Sequence, residues 1–262
     1  EPYRRQRQMC IRDSNNIVDI TNYILHAYGQ PLHCFDADKI KGGKIVVKTV
    51  AEGTTFVTLD EVERKLSDKD LMICNTEEPM CIAGVFGGLD SGTTEQTVDV
   101  FLESAYFNPT WVRKTARRHG LSTDSSFRFE RGIDPNGTIY ALKEAALLVQ
   151  ELAGGTISSE IKDNYPAPIA DFTVELNYEK VHSLIGKTIP VETIKSIVTS
   201  LEMKIVNETP EGLTLQVPPY RVDVQRDCDV VEDILRIYGY NNVEIPTTLK
   251  SSLTTTGEVD YS

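Results

Sequence analysis

The run Lys44-Ile45-Val46-Val47-Lys48-Thr49-Val50-Ala51 opens a series of short apolar segments that decides the fold class. Behind it come Thr54-Thr55-Phe56-Val57-Thr58-Leu59 and Val62-Glu63-Arg64-Lys65-Leu66, which read as a hairpin. Residues 71–74 and 80–85 follow on either side of a turn at residues 75–79, and residues 98–103 add one more segment. Runs rich in β-branched and aromatic residues, punctuated by Gly, Asn, Asp and Pro, are the mark of strands. Helices bracket the series. Ile17, Ile20 and Ile24 recur at helical steps before Gly29 and Pro31 stop them. Downstream, Asn108-Pro109 starts a helix carrying Trp111, Val112 and Thr115. Residues 138–153 give Tyr140, Leu142, Ala145, Val149 and Leu152 before Gly154-Gly155. Strands gathered together, rather than alternating with helices, predict an α+β fold and not a Rossmann-like parallel sheet.

A chain of 262 residues is long enough for about two domains. Tyr165-Pro166-Ala167-Pro168 reads as a stiff linker. Beyond it, a helix opens near Pro190, a hairpin alternates Leu213, Leu215 and Val217 on one face, and a last helix covers about residues 227–238. Helix, hairpin and helix suggest a small winged-helix-like unit. The division expected is a terminal segment at 1–14, a first domain at 15–165, a linker at 166–171, a second domain at 172–242 and a tail at 243–262.

Thirty-nine acidic against 27 basic side chains leave a net charge of −12, which argues against non-specific binding to duplex DNA. No stretch is apolar enough to span a membrane and no signal peptide opens the chain. A start at Glu1 rather than Met fits a piece of something longer. The five cysteines, an odd set without CxxC or zinc-finger spacing, read as reduced thiols of a cytoplasmic protein.

Three clusters could carry chemistry. Ile82-Ala83-Gly84-Val85-Phe86-Gly87-Gly88 lacks the order of a dinucleotide or P-loop fingerprint, so its glycines read as a sharp turn that lets a ligand approach bare backbone. Residues 117–132, with Arg113 and Lys114 before them, interleave cations, small hydroxyls and aromatics. That mixture suits a single-stranded nucleic-acid end, and equally a set of salt bridges such as Glu130 with a neighbouring arginine. In the third, Asp229, Glu232 and Asp233 stand at i, i+3 and i+4, with Asp223 just ahead. Hard oxygens of this kind suit magnesium rather than zinc. Acids in a first helical turn are also explained by the helix dipole, and Arg236 can pair with Glu232. His33 falls on a loop after Gly29-Gln30-Pro31-Leu32, and no nucleophile elbow or Cys/His pair is present. Activated water is therefore the expected agent of any hydrolysis.

Asn15-Asn16-Ile17-Val18-Asp19-Ile20-Thr21-Asn22, Gly29-Gln30-Pro31-Leu32-His33-Cys34-Phe35-Asp36, the glycine run at 82–88, Phe101-Leu102-Glu103-Ser104-Ala105, and residues 117–135 and 221–240 together resemble the β subunit of bacterial phenylalanine–tRNA ligase. The resemblance covers about residues 15–246 and leaves 1–14 unmatched. It implies an editing module followed by a small magnesium-linked module. The editing module would hydrolyse tyrosine wrongly esterified to tRNA(Phe), because an apolar synthetic pocket discriminates poorly against an added hydroxyl. By the same resemblance, Glu103 accepts the tyrosine hydroxyl, Gly87 and Gly88 floor the pocket, and Thr123 and Ser125 line it. His33, Thr21 and Asn22 lie near the scissile ester and terminal ribose, and Asp223, Asp229, Glu232 and Asp233 hold magnesium. Ser125 stands where the family usually has alanine, and Asp233 where it usually has glutamate. The implied partners are an α subunit, in a heterotetramer of two α and two β, and tRNA(Phe). ATP belongs to the whole enzyme, in which the synthetic site lies on the α subunit. The alternative is a non-catalytic scaffold contacting the α subunit and tRNA.

Overall fold

Asn15 begins the first helix by folding its side chain back to accept a hydrogen bond from the Val18 amide at 3.0 Å, and Gly29 ends it in the left-handed region at φ 73°. The computed structural model describes residues 15–244; the segment 1–14, with Cys10, and residues 245–262 of the expected tail lie outside the described residues. The chain separates into two compact units, divided between Ile169 and Ala170.

The first unit runs α1 (Asn16–Tyr28), β1 (Leu32–Asp36), β2 (Val46–Thr49), β3 (Thr55–Val57), β4 (Glu63–Lys65), β5 (Leu71–Cys74), β6 (Pro79–Ile82), β7 (Phe86–Gly87), β8 (Val100–Ser104), α2 (Pro109–His119), α3 (Asp124–Arg131) and α4 (Thr138–Ala153). Neighbours in sequence pair antiparallel: β3 with β4 as a hairpin, and β2-β5-β6-β7 as a four-stranded sheet. This is the α+β arrangement expected, with one departure. His33 lies on a strand, not a loop, because β1 pairs with the distant β8 in the register His33↔Glu103 and Phe35↔Phe101.

Apolar alternation explains how these pieces stack. Met72, Ile73 and Ile82 of the larger sheet are buried with Phe35, Phe107 and Phe129. On the other side of the β1–β8 ribbon, Leu102 packs with Ile20 and Ile24 of α1 and Ala141 and Ala145 of α4. Ile24 is fully buried, and one such side chain contributes about 1.5–3 kcal/mol.

The basic cluster divides in two. Arg118 and His119 turn towards Asp70, which is wholly buried and also accepts from Thr115 Oγ1 at 2.9 Å and from the Ser67 amide at 2.9 Å. Glu130 pairs with Arg131 at 2.6 Å. The salt-bridge alternative therefore holds for these residues. Arg113 and Arg117 are exposed and without an ion pair among the described residues.

The second unit is built from β9 (Phe172–Asn177), α5 (Tyr178–Ile185), α6 (Val191–Ser200), β10 (Lys204–Thr209), β11 (Gly212–Val217) and α7 (Asp227–Tyr238). Its antiparallel sheet has the order β10-β11-β9, and Leu213, Leu215 and Val217 alternate inward as expected. The three helices close over them with Val181, Ile194, Val198 and Ile234. Among the described residues no helix is long and apolar enough to cross a membrane, and Cys34, Cys74, Cys81 and Cys228 are unpaired thiols.

Candidate functional site

Cross-strand pairing places His33 and Glu103 directly opposite each other, so their side chains rise from the same face of the β1–β8 ribbon. That face is opposite to the one where Leu102 meets α1 and α4. Both residues are partly exposed as wholes, yet Nε2 of His33 and Oε2 of Glu103 are closed off from water and have no hydrogen-bond partner. Buried polar atoms are almost always paired, and an unpaired one costs about 1–3 kcal/mol. Two of them on neighbouring strands mark a place held ready for something polar.

Glycine makes the opposing wall. An ideal Cβ built on Gly87 would lie 2.9 Å from His33 Cε1 and 2.9 Å from Leu59 Cδ1, so only a bare backbone fits beneath the imidazole. Gly88 is equally hemmed in, by the Met80 carbonyl at 2.5 Å and the Phe56 ring at 2.7 Å. Thr123 caps α3 and also donates from Oγ1 to the Val85 carbonyl at 2.7 Å, while Ser125 donates to the Gly84 carbonyl at 3.3 Å. Both hydroxyls thus brace the glycine turn beside which His33 sits. The extra hydroxyl of Ser125 is spent on that backbone.

Burial pushes the Glu103 carboxyl up to about 8 and the His33 imidazole down to about 4. Both groups are therefore neutral near pH 7. The sign of the stability effect follows. A carboxyl raised in the folded state keeps a proton that the unfolded chain has released, so stability falls as pH rises from about 4.5 to about 8. A lowered histidine acts oppositely, adding stability between about 4 and 6.5. Above pH 6.5 only Glu103 remains. Chemical denaturation at pH 6.5, 7.2 and 8 is expected to show a decline that Glu103→Gln removes; an equal decline in that variant would assign the slope elsewhere.

Other expected members are not gathered. The Thr21 hydroxyl donates to the Val18 carbonyl of its own helix at 2.8 Å, and the exposed Asn22 side chain has no hydrogen bond among the described residues. Neither is bonded to His33 or Glu103. Sequence reading also missed two residues of the site, Leu59 and Cys81. The second was readable from register: Cys81 pairs with Gly87 across β6 and β7, which aims its side chain at the same face.

The four acids of the second unit do not converge. Asp233 is buried between Arg221 and Arg236, the latter at 2.6 Å, so Arg236 pairs with Asp233 instead of Glu232. Asp229 is taken up by the start of α7, accepting from the Arg226 amide at 2.9 Å and the Arg226 guanidinium at 2.8 Å. Those bonds hold its carboxyl down at about 2. Asp223 is exposed with Arg221 at 3.8 Å, and Glu232 is exposed without a partner. Among the described residues, no group of three or more His, Cys, Asp or Glu side chains is placed to hold a metal ion. In this arrangement arginines pair with Asp229 and Asp233, two of the four carboxylates that the resemblance assigns to magnesium.

Comparison with known proteins bears on this geometry. Residues 3–154 match the family model of the B3/4 domain, and residues 174–240 that of the tRNA synthetase B5 domain. The first match takes in most of the opening segment that the sequence blocks leave out. A protein of Bacteroides fragilis named phenylalanine–tRNA ligase beta subunit is 81% identical over 98% of this chain and 31% of its own length. Proteins of the same name are 57% identical in Porphyromonas gingivalis, over 98% of this chain and 31% of theirs, and 43% identical in Geobacter metallireducens, over 92% and 30%. The chain thus spans about a third of the length of the curated relatives it matches.

Proposed function

The chain belongs to the phenylalanine–tRNA ligase β-subunit family, with its B3/4 domain covering more than half of the residues, and from that premise we propose that its first unit hydrolyses tyrosine wrongly esterified to tRNA(Phe). The observation that carries the reading is the unpaired Glu103 Oε2 beside the unpaired His33 Nε2, over the bare backbone of Gly87. A tyrosine whose hydroxyl reaches the carboxyl satisfies an atom whose desolvation was already borne during folding. Phenylalanine leaves the same atom unsatisfied. The difference, about 1–3 kcal/mol, favours the wrong ester by roughly 5- to 150-fold.

Hydrolysis itself needs water at the acyl carbon, with the ester C–O bond breaking and the ribose oxygen taking a proton. A neutral imidazole of lowered pKa can hold that water or the ribose through Nε2. Asn22, exposed on α1 across the ribbon from His33 and Glu103, is given no chemical step. Thr21, its hydroxyl already used, is given no chemical step. Thr123 and Ser125 hold the glycine turn in place. Magnesium enters no step of this hydrolysis. The second unit is read as a contact for the α subunit, and ATP-dependent synthesis is left to that partner.

The test is deacylation of tyrosyl-tRNA(Phe) and phenylalanyl-tRNA(Phe) by the full-length protein. The tyrosyl ester is expected to be cleaved at least about tenfold faster, the scale of one buried hydrogen bond. Equal rates would leave the chain as a scaffold.

A further inference from the structure

One polar group in the cleft has no part in the scheme above. Cys81 is 4% exposed and pairs in register with Gly87, so its side chain points to the face where a Cβ on Gly87 would strike His33. His33 in turn stands opposite Glu103. The two small sheets thus meet face to face, with Cys81 and Gly87 on one side and His33 and Glu103 on the other. Consistent with this, burial, and after it the charge of Glu103, push the Cys81 thiol well above its ordinary range. Leu102 faces α4 on the far side of β8, so the charged residues of α4 stand across the strand from Glu103. His33 and Cys81 are therefore the titratable groups that share its side of the ribbon.

We propose that Cys81 is a positioning residue of this cleft, whose sulfur walls in the Glu103 carboxyl, keeps water from it, and so fixes which ester the pocket accepts. The inference rests on the ester-hydrolase reading of the same site. Sγ lies 3.4 Å from the Phe86 carbonyl and 3.5 Å from the Ile82 carbonyl, so the thiol hydrogen is directed to backbone. What faces Glu103 is then the electron-rich side of sulfur, which offers a carboxylate no donor. The thiol fills space that water would otherwise enter, and it cannot stabilise the charged form. Alanine would open that space to water, and a serine hydroxyl is a stronger donor able to turn towards the carboxyl.

The experiment measures deacylation of tyrosyl- and phenylalanyl-tRNA(Phe) by the full-length protein across pH 5.5–9, with Cys81→Ala, Cys81→Ser and Glu103→Met beside wild type. Cys81→Ala is expected to lower the tyrosyl-over-phenylalanyl rate ratio about fivefold, as one weakened buried hydrogen bond does. Both Cys81 variants are expected to move the midpoint of its pH dependence down by about one unit, the equivalent of one added hydrogen bond to the carboxylate. Cys81→Ser, which nearly fills the original volume, keeps the fold if the alanine variant loses it, and its pH midpoint alone decides. If both Cys81 variants keep the wild-type ratio and midpoint while Glu103→Met abolishes the ratio, the role of Cys81 is overturned and the hydrolase reading stands. If Glu103→Met also keeps the ratio, both readings fall.

Discussion

Glu103→Met is expected to make the protein more stable and, in the same change, to remove its preference for the tyrosyl ester. In the ligand-free protein the carboxyl is a liability, since Oε2 is buried with nothing to bond. Methionine has a similar length and no atom that demands a partner. Relief of the unsatisfied acceptor is worth about 1–3 kcal/mol, or roughly 2–4 °C in melting temperature per kcal/mol for a chain of this size. The rate ratio between tyrosyl and phenylalanyl esters should fall towards one, because nothing remains that distinguishes a phenol from a phenyl ring. Thermal melting and the paired deacylation assay check the two halves separately. A variant that melts lower than wild type and still prefers tyrosine would mean that Glu103 holds the fold and not the ligand. The trade of stability for a waiting polar atom is common where a protein must recognise something.

The second large effect concerns a position far from that chemistry. Gly212 opens β11, where an ideal Cβ would lie 2.1 Å from the Leu176 carbonyl oxygen and 3.1 Å from Asn177 Cα. These are backbone atoms of the paired strand β9, in register Gly212↔Asn177 and Leu213↔Leu176. They cannot swing aside as a side chain would. Gly212→Ala must therefore push β9 and β11 apart at the centre of the three-stranded sheet, with Leu213, Leu215 and Val217 losing their seat against α5, α6 and α7. A loss of about 3 kcal/mol or more is expected, at the upper end of single substitutions. Denaturant unfolding followed by hydrogen exchange on β9 and β11 would show it. A midpoint unchanged from wild type would mean that the sheet has more slack than this contact allows.

How well the sequence could be read depended on how local each signal was. Asn15 and Gly29 marked the ends of α1, and Asn108 the start of α2, because capping is settled within a few residues. The hairpin of β3 with β4 and the strand β5 followed from β-branched runs and short turns. The strand that carries His33 did not. Leu32-His33-Cys34-Phe35-Asp36 is brief, follows Gly29 and Pro31, and finds its partner β8 only across the whole intervening sheet. No local pattern announces such a pairing. Helix α3 was hidden differently, since Asp124-Ser125-Ser126 reads as loop until Thr123 and Ser126 are seen to cap each other.

The candidate site shows the same division. Resemblance named His33, Glu103 and Gly87 as members of one site, and the register of β1 with β8, together with the Gly87 contact, brings those three side by side. Helical spacing alone suggested a shared face for Asp229, Glu232 and Asp233, but burial sets Asp233 apart from the other two. Asp233 sits among Val230, Val231 and Ile234 on the core side of α7, where Arg221 and Arg236 neutralise it. A charge in that position is tolerable only with such partners. The pattern shows which residues are neighbours on a helix, and not which of them the core will claim.

The pairing of β1 with β8 has a bearing on biosynthesis. His33 leaves the ribosome long before Glu103 does, and the loop that must close between them holds the entire four-stranded sheet. Contacts so distant along the chain form slowly and late. On the proposed reading, a nascent chain would have no assembled ester site until β8 has emerged and paired with β1.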